Sequence, residues 1–99
     1  MCTNVTTTIA ATGSVYDGEE WFAVDRAVVY FDHPQDLLAD HAMCIDLWAP
    51  GTAGIGRRIA VELDADSARR LAEGILDVLS AREVQDVLQP LAVAHQRDV

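Results

Sequence analysis

"VVYFDHPQDLLADHAMCIDLW", residues 28–48, decides how this chain folds. Two β-rich runs flank a short acidic stretch that Pro34 opens. Antiparallel pairing keeps the sum of paired residue numbers constant. A sum of 74 sets His33 opposite His41, and it also sets Phe31 opposite Met43, Val29 opposite Ile45 and Ala27 opposite Leu47. All three further pairs are apolar and in one phase, as a buried sheet face requires. The register thus rests on apolar pairs, and the facing histidines follow from it.

Outward from this hairpin, the pattern predicts four strands and a helix. "TNVTTTIAAT" (3–12) carries Val5, Thr7, Ile9 and Ala11 in one phase, and "GSVYDGEE" (13–20) has the Gly and Asp content of a turn. "WFAVDRAVVYFDH" (21–33) and "HAMCIDLWA" (41–49) are the second and third strands. After the Gly-rich "PGTAGIG", "RRIAVEL" (57–63) alternates as a fourth. In "DADSARRLAEGILDVLSARE" (64–83), Ala68, Leu71, Ala72, Ile75, Val78 and Leu79 recur at helical spacing. Asp64 or Asp66 suits its N-cap, and Gly74 would let it approach the sheet. Short connections favour a meander in the order 1-2-3-4. The expectation is an α+β domain over residues 1–83, a four-stranded antiparallel sheet with one helix packed on one face (ββββα). Residues 84–99 would form a short helical extension and a mobile tail.

Composition narrows the function. Ninety-nine residues support one modest core. Sixteen acids stand against seven arginines and no lysine, for a net charge of −9. That field repels phosphate backbones, so nucleic acid is not an expected partner. No apolar run reaches the length of a membrane span, and the N-terminus lacks a basic region followed by an apolar one. A cytoplasmic protein is the expectation, with Cys2 and Cys44 as reduced thiols.

The same topology gathers metal-binding groups at one edge. Strand 1 running against strand 2 brings Cys2 toward His33, and Asp32, Asp36 and Asp40 surround the hairpin. His33, His41, Cys2 and Asp32 are therefore the candidate ligands for a divalent transition metal, zinc first, then copper or iron. The plainer alternative is two polar residues closing a hairpin and bonded to nearby aspartates. No catalytic constellation is present: no serine lies in a GxSxG turn, and "GTAGIG" precedes a strand rather than a helix. Removal of Met1 would expose the Cys2 amine and thiol, which suit a thiol enzyme or an aldehyde scavenger. The sheet face away from the helix would display Val28, Tyr30, Cys44, Trp48 and Ala60 among charges, a composition that fits a homodimer or a non-catalytic protein-interaction module; the alternative is a monomer whose loop or C-terminal tail folds over it.

"MCT" at the start, "GEEWF", "VVYFDHP", "DH" before "CIDLW", and "RIAVELDADSARRLAEGIL" together resemble a family of small proteins from high-GC bacteria that begin Met-Cys-Thr and have no assigned function. The resemblance spans about residues 1–80, with "YFDHP" and "VELDADSARRLAE" its most specific parts. It implies no catalytic residue.

Overall fold

The computed structural model describes residues 5–51 and 56–88. The elements are β1 (Thr6–Tyr16), β2 (Trp21–Asp32), β3 (Ala42–Trp48), β4 (Arg58–Leu63), α1 (Ala65–Leu79) and α2 (Arg82–Gln85). The four strands form one antiparallel sheet in the order β1-β2-β3-β4, and the fold is α+β with ββββα order. The chain divides into two compact units after Ala68.

In the first unit, β2 pairs with β3 from Arg26↔Trp48 to Asp32↔Ala42, a constant sum of 74. β3 pairs with β4 from Met43↔Leu63 to Trp48↔Arg58. Because the side-chain period is two, these registers sort residues onto two faces. One face carries the odd-numbered Ala27, Val29, Phe31, Met43, Ile45, Leu47, Ile59 and Val61. The other carries the even-numbered Arg26, Val28, Tyr30, Cys44, Asp46, Trp48, Arg58, Ala60 and Glu62. Burial concentrates on the two central strands, at Val24, Ala27, Ala42, Cys44 and Asp46.

β1 differs from its expected limits. It runs on through Gly13 and Ser14 to Tyr16 instead of ending at Thr12. A bulge between Ala10 and Gly13 absorbs the shift, after which Gly13 pairs with Val24 and Tyr16 with Trp21. The turn itself is shorter, Asp17 to Glu20. Asp17 Oδ1 accepts the amides of Glu19 and Glu20, and Gly18 takes a φ of 102° that other residues rarely adopt. Gly13 is thus a bulge residue, where glycine composition resembles a turn.

At the head of α1, Asp64 caps the helix: its Oδ1 accepts the Ser67 amide at 2.7 Å. In the second unit, α1 ends at Leu79. Ser80 Oγ donates to the Asp77 carbonyl and Gln85 Nε2 to the Leu79 carbonyl, satisfying two of the orphan acceptors there. The helical extension expected from residue 84 begins two residues earlier, as the single turn of α2 (Arg82–Gln85). No residue of α1 is buried, and Leu71, Ile75, Leu76 and Val78 are 47, 52, 66 and 63% exposed. A Cβ at Gly74 would meet nothing within 4 Å among the described residues.

Candidate metal centre

β2 ends at Asp32 and β3 begins at Ala42, so His33 and His41 are the next facing pair of the ladder. Their rings stack with centroids 4.6 Å apart, and His41 also stacks on Phe31 at 5.3 Å. The nine-residue connection from His33 to His41 returns Asp40 to the same point. The ligand atoms of His33, Asp40 and His41 all lie within 4.8 Å of one another.

The polar contacts fix both imidazole tautomers. His33 Nδ1 lies 2.9 Å from the Asp40 carbonyl, which can only accept, so Nδ1 carries the proton. His41 Nδ1 lies 2.9 Å from an Asp40 carboxylate oxygen and donates in the same way. In the neutral form of each ring this arrangement leaves Nε2 as the lone-pair donor, oriented by its other nitrogen as in metal-ligating histidines. A tetrahedral zinc with bonds of about 2.0–2.1 Å needs ligand atoms about 3.3 Å apart, closer than the 4.8 Å limit here. The limit of 4.8 Å admits that spacing. Three protein ligands at an open rim would leave a coordination position for water or an exogenous group.

Among the sequence candidates, His33 and His41 come together and Asp32 does not join them. Asp32 pairs with Ala42, which puts it on the even face beside Tyr30 and Cys44, and its Oδ1 accepts the His33 amide. Asp40 takes the place given to Asp32. Position in the ladder separates them: Asp32 ends β2 and points away from the face of its neighbour His33, whereas Asp40 lies in the connection, outside the alternation of the strands. Cys2 lies outside the described residues, and with it the thiol or aldehyde chemistry it would support. The described β1 ladder reaches Val5, whose carbonyl accepts the Phe31 amide.

The even face is partly covered by a loop. Cys44 and Asp46 are 5 and 7% exposed. The loop after Pro34 folds over that face because Glu62 accepts the amides of Gln35, Asp36 and Leu37, the last two at 2.9 and 3.0 Å. These three donors hold the Glu62 carboxyl below its usual pKa. Under the loop, Tyr30 donates to Asp46 Oδ2 at 3.1 Å and Arg58 to Asp46 Oδ1 at 3.2 Å. Burial and the Asp46 charge push the Tyr30 hydroxyl up to about 12. Burial, then the Glu62, Asp46 and Asp32 charges, raise the Cys44 pKa as well, which keeps it a thiol of low nucleophilicity. Arg58 pairs with Asp46 and not with Glu62 of its own strand, whose carboxylate is engaged by the loop.

The chain belongs to a family of unknown function, DUF6295, which it matches over residues 1–89. No curated protein and no solved structure matches it. Among the described residues, no helix is long and apolar enough to cross a membrane.

Proposed function

We propose that this chain is a small accessory protein that binds one divalent transition metal through His33 and His41, with Asp40 as third ligand or as the carboxylate that orients His41. The observation that carries this reading is the convergence of His33, Asp40 and His41, from both ends of one hairpin, with one ligand atom of each within 4.8 Å of the others. Two imidazoles and a carboxylate favour zinc, with copper and iron next. The net charge of −9 raises the local concentration of cations around the site. Metal analysis of tag-free protein tests it. About one equivalent in the wild type, lost in His33→Ala and His41→Ala, is the expected result; background metal in the wild type overturns it.

A second reading, a cytoplasmic homodimer acting as a non-catalytic interaction module, draws support from the exposed apolar stripe of α1. Its test is the mass in solution: a dimer that Ile75→Glu converts to monomer supports it, and a wild-type monomer at high concentration removes it.

A further inference from the structure

Asp40 lies in the connection between the two histidines, so the course of that connection decides where its carboxylate stands. Burial does little to fix the course, since Gln35, Asp36, Leu38, Ala39 and Asp40 are all exposed. Hydrogen bonding to one distant side chain does more. Glu62 accepts the amides of Gln35, Asp36 and Leu37, the last two at 2.9 and 3.0 Å. Among the described residues, no other side chain from outside the connection bonds the backbone of residues 34–39. Hydrogen bonds to an ionised acceptor are the stronger kind, and three converge here.

From this clasp to the histidines the path is short. The Leu37 carbonyl accepts the Ala39 amide at 2.9 Å, which closes residues 37–39 into a tight turn. Asp40 follows directly. Its carbonyl accepts from His33 Nδ1 at 2.9 Å, and its carboxylate accepts from His41 Nδ1 at 2.9 Å. Glu62 itself is no ligand: it pairs with Cys44 on the even face, while the converging ligand atoms belong to His33, Asp40 and His41. Its effect on a bound ion must pass through the loop. The Asp40 side chain is 89% exposed, and a loop freed of its clasp would place that carboxylate beside His41 only part of the time. Apparent affinity falls in proportion to the fraction of molecules in the binding arrangement.

We propose that Glu62 is a positioning residue for the metal centre: by clasping residues 35–37 it holds Asp40 against His33 and His41, so that the three groups meet the ion already assembled. This inference rests on the metal-binding reading above.

The test is a double-mutant cycle on zinc affinity, measured in the full-length, tag-free protein by competition with a chromophoric chelator. Glu62→Ala should weaken zinc about tenfold, the lower end of what loss of an outer-shell partner costs. Glu62→Gln keeps a neutral acceptor oxygen and should weaken it about threefold, so a folding defect in the alanine variant does not blunt the test. In an Asp40→Asn background neither substitution should weaken zinc further. In the metal-free protein, the His41 ¹⁵Nδ1 shift of Glu62→Ala should move toward its value in Asp40→Asn, which a mere loss of stability would not produce. Zinc bound by the wild type and equally well by both Glu62 variants overturns this inference alone. A loss that persists undiminished in the Asp40→Asn background, or an unmoved His41 signal, also overturns it, because Glu62 would then be supporting the sheet and not Asp40. A wild type that binds no zinc removes the metal reading and this inference with it.

Discussion

Glu62 holds the hairpin loop by a contact that acid can undo. Its carboxyl is kept below the ordinary value of 4.5 by the amides of Gln35, Leu37 and Asp36. A depressed folded-state pKa contributes stability that is present above the unfolded value and lost as pH falls through the folded one. Urea midpoints measured against pH should therefore fall less steeply on acidification in Glu62→Gln than in the wild type. The slope persists in part, since the Glu20 and Glu19 amides and Arg57 lower Asp17 as well. An unchanged slope contradicts the clasp. Tyr30 works in the opposite direction. With its pKa raised from 10 to about 12, its contribution is complete below pH 10 and disappears as pH rises through the folded value. Ultraviolet titration of the folded protein should show a late tyrosinate step that Tyr30→Phe removes; a single step near the ordinary value would sink this assignment. The substitution also leaves Asp46 Oδ2 short of a donor, at about 1–3 kcal/mol.

Elements show why some features were legible and others were not. The sum of 74 could be read from Phe31, Val29, Ala27 and their partners because a one-residue slip would turn every one of them to the wrong face. The Asp64 cap was readable for a similar reason: a short acceptor before a helical stripe has few other uses. The end of β1 was not, because Gly13 serves a bulge and a turn equally well. Nor was the contact that holds a loop over the even face, where the Glu62 side chain meets backbone amides 25 to 27 residues earlier. Of the site, both histidines came from the register, while Asp40 lies in the connection, where no ladder alternation tells which way a side chain points. α1 offers its own check. Gly74 sits in open space within the helix, so Gly74→Ala should raise stability by about 1 kcal/mol, seen as a higher thermal midpoint. A lower midpoint would mean that something packs against this position.

At the scale of the whole molecule, metal binding should appear as stability. A ligand that binds only the folded state at about a hundred times its Kd adds about 2.7 kcal/mol. Zinc should raise the wild-type melting temperature and leave that of His41→Ala unchanged, and acid should weaken the effect because imidazole must be neutral to bind. The most direct measurement is imidazole ¹⁵N NMR during a zinc titration. The Nε2 signals of His33 and His41 should move together and stop moving at one equivalent, with both Nδ1 protons retained. Movement of only one of the two rings, or drift without an end point, would contradict a shared centre.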